Sequence, residues 1–166
     1  MISFQSAGID QIPVIQKIAK VTWPITFRDI LTKKQLEYML EMMYSTPSLT
    51  DQMETRHHRF LLAKADEKAL GFASFEIGFG GSASLKIHKL YMLPDAQGKG
   101  MGKMMLRQIG EVGLKTRSTH MILNVNKFNY KAIHFYEKWG FKTIGEELIP
   151  IGEGYVMDDF IMEKPL

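Results

Sequence analysis

The chain has no cysteine among its 166 residues, which excludes disulfides, thiolate nucleophiles and cysteine-ligated metals. It lacks any run of about 18 or more apolar residues, the length a membrane helix requires. Its opening residues, Met1-Ile2-Ser3-Phe4-Gln5-Ser6, have neither the basic nor the apolar region of a secretory leader. A cytoplasmic protein without a membrane partner is therefore expected. Charge of one sign is scarce too: the net balance is +3, and part of it belongs to lysines in a glycine-rich loop, so no nucleic-acid surface is expected. Repeats, low-complexity tracts and Pro/Ser-rich linkers are absent. With 45% hydrophobic residues, the length suits one core, hence one domain over residues 1–166. The 12 methionines, Met42-Met43 and Met104-Met105 among them, read as fillers of core gaps.

What the chain does have is concentrated in Leu90-Tyr91-Met92-Leu93-Pro94-Asp95-Ala96-Gln97-Gly98-Lys99-Gly100-Met101-Gly102-Lys103, an apolar strand running through a glycine-rich turn into a helix. Glycines 98, 100 and 102 let the main chain approach a ligand closely, and successive N–H groups at a helix start converge on an anion. A helix start normally favours Asp or Glu, yet Gln97 to Lys103 contains no acid and two lysines, Lys99 and Lys103. A phosphate is the expected ligand. A P-loop is excluded, because Gln97 stands where the first glycine belongs and Met104 follows Lys103. A dinucleotide fingerprint fails in both frames, at Lys103 and at Met105.

The remaining pattern, Gln97-x-x-Gly100-x-Gly102, resembles the pyrophosphate motif R/Q-x-x-G-x-G/A of the GNAT superfamily of N-acetyltransferases. Downstream, Asn126 to Phe141 (NKFNYKAIHFYEKWGF) resembles the same family's N-x-x-A-x-x-F-Y-x-K-x-G-F signature at nearly every position. The two motifs stand in the family's order and at its spacing. The likeness is specific from about Leu85 to Phe141; upstream of it, the acceptor region from Trp23 to Leu49 looks like that of the subgroup that includes bacterial spermidine/diamine acetyltransferases.

The pattern of apolar periods gives an α/β chain. Met1 to Ser6 reads as a strand, and Asp10 as the cap of a helix with Pro13 in its first turns and Pro24 beyond its end. Thr32 is expected to cap a second helix, and Ser48 to Arg56 to form a third. Strands follow at Arg59 to Ala65, Ala69 to Phe79 and Ser84 to Leu93. After the glycine loop come a helix, a strand at His120 to Val125, a helix from about Asn129 to Trp139 ending at Gly140, and strands at Phe141 to Gly145 and Tyr155 to Lys164. This order is the family's, and it implies the acyl-CoA N-acyltransferase fold: a twisted, mixed, mostly antiparallel sheet of six to seven strands flanked by helices.

The resemblance implies acetyl-CoA as co-substrate, with its pyrophosphate held by Gln97, Gly98, Lys99, Gly100, Met101, Gly102 and Lys103, and its pantetheine arm along Leu90, Tyr91 and Met92. Asn129 matches a family position that touches the arm or phosphate; Lys138 reads as a solvated helix lysine. Tyr136 matches the general acid, a phenol that keeps its proton near neutrality and passes it to the departing thiolate. With no cysteine, an acetyl-enzyme on that residue is impossible. The proton acceptor is open: the strand feeding the loop carries no Glu, and His88, Glu76, and a water-relayed Asp158 or Asp159 are the candidates. His57, His58 and His134 lack evident partners for a metal, so none is assigned.

The expected acceptor is a small primary amine. Trp23, Phe27 and Tyr38 with Glu37 and Glu41 offer ring faces and charge to a cationic amine such as a polyamine. A peptide N-terminus, an amino acid and an aminoglycoside stay open, as does a non-catalytic acyl-CoA sensor, kept because no base is evident. A homodimer is compatible with the resemblance.

Overall fold

The computed structural model describes residues 1 to 166. Seven strands form one mixed, mostly antiparallel sheet: β1 (Ile2–Ala7), β2 (Arg59–Ala65), β3 (Lys68–Ile77), β4 (Ser84–Met92), β5 (His120–Asn126), β6 (Lys142–Gly152) and β7 (Tyr155–Pro165). Their hydrogen-bonded order is β1-β2-β3-β4-β5-β7-β6. Five helices accompany them: α1 (Ile12–Thr26), α2 (Lys33–Tyr44), α3 (Thr46–Glu54), α4 (Met101–Lys115) and α5 (Tyr130–Lys138). Fold class and element order are those expected. The chain divides into two compact units, Met1–Glu76 with His88–Ile109, and Ile77–Ile87 with Gly110–Leu166.

In the first unit, β1 and β2 run antiparallel from Ile2↔Ala65 to Ala7↔Phe60, and β2 and β3 from Arg59↔Phe75 to Ala65↔Lys68. Helix α1 buries Ile12, Ile15, Ile18, Ala19 and Trp23, which recur at spacings of three and four. Two boundaries differ from expectation. Asp10 falls in a short 3-10 turn, and Gln11 occupies the cap position of α1 without a side-chain bond. Pro24 lies inside the last turn rather than beyond it. Lys20, whose carbonyl loses a partner there, is exposed, so water can replace the missing N–H. Thr32 does cap α2, accepting from Gln35 N at 3.2 Å. Helix α3 starts two residues earlier than expected because Ser45 caps it, accepting from Ser48 N at 3.3 Å.

An aromatic cluster fills this unit. Trp23 packs on Phe27, Tyr44 and Tyr91 at ring separations of 4.6, 5.6 and 5.8 Å. Phe72 adds contacts to Tyr44 and Tyr91 at 5.9 and 5.8 Å. The indole Nε1 of Trp23 donates to the Tyr44 hydroxyl at 3.2 Å, satisfying a donor that burial would otherwise strand.

In the second unit, the start of β4 pairs in parallel with β5 from Ser84↔His120 to Ile87↔Leu123. Strand β5 runs antiparallel to β7, and β7 to β6. The β6–β7 hairpin turns at Glu153-Gly154, both with positive φ, as a two-residue turn demands. Strand β6 continues to Gly152, well past the expected Gly145. Most of its residues are exposed, so it lacks the apolar alternation that marks a strand in sequence. Helix α5 is capped by Asn129, whose Oδ1 accepts from Ala132 N at 3.3 Å. It ends where Gly140 takes φ 97° and Phe141 N returns to Tyr136 O at 3.0 Å.

Candidate active site

Strand β4 leads into a 3-10 turn at Pro94–Ala96, the loop Gln97 to Gly100, and then α4. Gly98 and Gly100 adopt φ of 76° and 78° on either side of Lys99, the left-handed region that other residues reach only with strain. A Cβ built on either would meet nothing within 4 Å, so the requirement is conformational and the space above the loop is open. The N–H groups of the first turn of α4 have no carbonyl within the helix to bind. That turn contains no acid, and Lys99 and Lys103 are exposed beside it. Together these features make a concave anion seat. Gly102 belongs to α4 and lacks positive φ; Met101 is 2% exposed, giving only main chain to the seat.

Gln97, first residue of the motif, uses its side chain as a brace: Nε2 donates to Met92 O at 3.1 Å, fixing the loop to the end of β4. Gly71 on β3 fixes the same segment from beneath. A Cβ there would collide with the Met92 sulfur and lie 2.7 Å from Tyr91 O, so a glycine is what lets β4 pass this close. The pairing of β4 with β5 ends at Ile87, and Leu90–Met92 lie past that end. This is where an extended ligand can take the place of a strand.

Tyr136 in the second unit is 8% exposed, its ring edge-on to Phe141 at 5.4 Å. Burial pushes its phenol well above the ordinary range, so it holds its proton firmly. Asn129 spends its carbonyl oxygen on the α5 cap, and Lys138 lies over the Trp139 ring at 5.4 Å. Asp158 pairs with Lys127 at 3.0 Å. Asp159 is 5% exposed and opposite Glu147; burial raises its pKa, against a hydrogen bond from Asn124 Nδ2 at 3.3 Å, with Glu147 raising it further.

The supposed cation-receiving wall changes. Trp23 and Phe27 are 2% and 7% exposed and belong to the aromatic core. Only Glu37 and Glu41 of that group are exposed, on α2.

Two features escaped the sequence. His58 does have partners: its Nε2 lies 3.4 Å from Glu76 Oε1, and His88 Nε2–H donates to that same oxygen at 3.0 Å. The imidazoles stack at 3.9 Å with planes 14° apart. The antiparallel register that sets Arg59 against Phe75 puts the residues before and after them, His58 and Glu76, side by side. That signal was present but needed strand pairing to be read. The second feature is Lys89, 9% exposed, whose Nζ donates to Gln52 Oε1 at 2.6 Å over the faces of Tyr44 and Phe60. Burial, then the charge of Arg56, lowers its pKa to about 7. Burial, then Lys89 and Arg56, brings His58 down to about 4, against a small opposing pull from Asp51.

Comparison with known proteins bears on the family and the fold. The model of the acetyltransferase (GNAT) family matches residues 18–141. A spermidine N(1)-acetyltransferase of Thermoplasma acidophilum is 26% identical over 167 residues, covering 98% of this chain and 96% of its own. The crystal structure of the PaiA N-acetyltransferase of the same organism, in complex with coenzyme A, superposes with a TM-score of 0.85 at 25% identity, over 100% of this chain and 99% of that one. The ribosomal-protein-S18-alanine N-acetyltransferase of Escherichia coli shares the fold, with a TM-score of 0.74 at 18% identity over 99% and 94% of the two chains.

Proposed function

The chain belongs to the acetyltransferase (GNAT) family, and on that premise we propose that it transfers acetyl from acetyl-CoA to the primary amine of a small polycation such as a polyamine. That it is an N-acetyltransferase using acetyl-CoA follows from the family. The observation that carries the cofactor end is the acid-free seat at Gly98 and Gly100, braced by Gln97 on the end of β4.

In this reading the N–H groups from Gly98 to Lys103 hold the pyrophosphate, with Lys99 and Lys103 adding charge. The backbone of Leu90, Tyr91 and Met92 receives the pantetheine amides, which aims the thioester along β4. The acceptor nitrogen attacks the thioester carbonyl, the tetrahedral intermediate collapses, and the C–S bond breaks. Tyr136 gives its phenolic proton to the leaving thiolate and regains one from the acceptor nitrogen as the amide forms; burial keeps it protonated before the step. Asn129 acts by starting α5, the helix that carries Tyr136. A single domain over residues 1–166 is part of this reading; the family model matches residues 18–141 of it.

The polyamine reading is supported by the 26% identical spermidine enzyme and by the exposed Glu37 and Glu41, a charge environment suited to a cation. It is tested by measuring release of coenzyme A thiol with spermidine, diamines, lysine and a short peptide. Preference for spermidine or a diamine by at least about tenfold in kcat/KM is expected. A peptide or amino acid as best substrate would overturn the acceptor assignment and leave the acetyltransferase standing.

A further inference from the structure

An amine that is mostly ammonium at neutral pH must lose a proton before it can attack, and the strand feeding the loop carries no carboxylate. We propose that His88, held by Glu76 and backed by His58, takes that proton: a three-residue group drawn from the middle of β4, the end of β3 and the residue before β2. The proposal rests on the acetyltransferase reading and deepens it.

All three residues lie in the same compact unit as the anion seat, and His88 stands on β4 two residues before Leu90. Their placement is specific. Glu76 Oε1 receives His88 Nε2–H at 3.0 Å, and since an ionised carboxylate only accepts, that nitrogen carries the proton of the neutral ring. His88 therefore takes a proton on its other nitrogen, Nδ1. Glu76 fixes the tautomer and steadies the imidazolium that forms. Side-chain exposures of 19% for His88 and 24% for Glu76 leave the pair within reach of a substrate or its water.

His58 plays a different part. Its side chain is 8% exposed, its Nδ1 is buried without a partner, and its ring lies flat against His88. Burial, then the charges of Lys89 and Arg56, lowers its pKa to about 4, with Asp51 pulling the other way. It is a positioning residue, holding the His88 ring and the carboxylate without competing for the proton.

The step balances. An N–H bond of the ammonium breaks, its electron pair stays on nitrogen, and the proton joins His88 Nδ1. The free amine then attacks the thioester carbonyl; as the C–S bond breaks, the thiolate takes the Tyr136 proton and the nitrogen's second proton restores the phenol. The proton leaves His88 for solvent, so one ammonium and one acetyl-CoA yield one amide, one coenzyme A thiol and one proton.

The test is kcat and kcat/KM against pH for the full chain, with two amines: spermidine, and trifluoroethylamine, whose nitrogen is already neutral at pH 7.5. Acetyl-CoA affinity is measured alongside by calorimetry. His88→Gln should lower kcat/KM for spermidine by about 100-fold or more and remove the acidic limb of the profile, with acetyl-CoA affinity kept. For trifluoroethylamine the same variant should lose less than about tenfold, because no proton need be taken before attack. Glu76→Gln should move the acidic limb to lower pH, since the imidazolium loses its counter-charge. His58→Gln should lower kcat while leaving the KM for acetyl-CoA unchanged. Equal losses with both amines, or an unchanged acidic limb in His88→Gln, would overturn the relay while active wild-type enzyme kept the proposed function intact. Wild-type protein that binds acetyl-CoA but acetylates no amine would instead defeat both. Comparing two amines on one variant keeps the result readable even if a substitution lowers the folded fraction.

Discussion

Replacing Lys89 by methionine should make the protein more stable at low pH and change its stability little at high pH. The side chain is 9% exposed, has one hydrogen-bond acceptor, Gln52 Oε1, and no carboxylate beside it. Its pKa falls from 10.5 to about 7 on folding, chiefly through burial. The unfolded chain therefore binds the extra proton, and the cost of folding stands in full below pH 7 and fades as pH rises toward 10.5. At about 1.36 kcal/mol per decade, the cost is about 5 kcal/mol at pH 6 and about 2 kcal/mol at pH 9. Methionine keeps the length and removes the charge. It also leaves the buried Gln52 oxygen unpaired, which costs about 1–3 kcal/mol at any pH. The variant should thus be more stable than wild type by about 2–4 kcal/mol at pH 6 and within about 1 kcal/mol of it at pH 9. The robust quantity is the change in that difference, about 3 kcal/mol, because the Gln52 penalty cancels. Urea unfolding followed by far-UV circular dichroism at the two pH values measures it. A difference that moves by less than about 1 kcal/mol would refute the buried, charge-penalised lysine. A second readout lies next door: with Lys89 gone, the His58 imidazole, held at about 4, should titrate higher by NMR.

Three further outcomes are expected. Gly100→Asp should weaken acetyl-CoA by at least about tenfold in calorimetry, since it puts an anion in the seat and a side chain at φ 78°; unchanged affinity would remove the phosphate assignment. Gly71→Ala should cost about 1–3 kcal/mol in thermal or urea unfolding and weaken acetyl-CoA as well, because Tyr91 O stands 2.7 Å from the new Cβ and β4 must shift. Tyr136→Phe should lower kcat by about 100-fold while acetyl-CoA affinity stays within about twofold, and a variant with wild-type turnover would strip Tyr136 of its acid role.

Legibility varied by the range of the forces involved. Residues that shape their own backbone were readable: the glycines of the loop, Thr32 at the start of α2, Gly140 at the end of α5. Each acts within a turn or two of itself. Helix α1 shows where that ends, because Pro24 is tolerated inside it by an exposed carbonyl, a fact about solvent rather than about proline. Strand β6 outruns its sequence signal for the opposite reason: its hairpin partner holds it together while most of its residues are exposed.

The one-dimensional string settled the family, the order of elements and the phosphate-seeking loop, since motif spacing and local dihedral preference are properties of neighbours along the chain. It said nothing of which rings would be core and which would meet a ligand, and Trp23 and Phe27 went to the core. Nor did it reveal that His58, Glu76 and His88 share one oxygen, or that Lys89 is stripped of water beneath α3 residue Gln52. Those are consequences of strand register and of desolvation, which arise only when segments dozens of residues apart are brought within a few ångströms and the water between them is expelled.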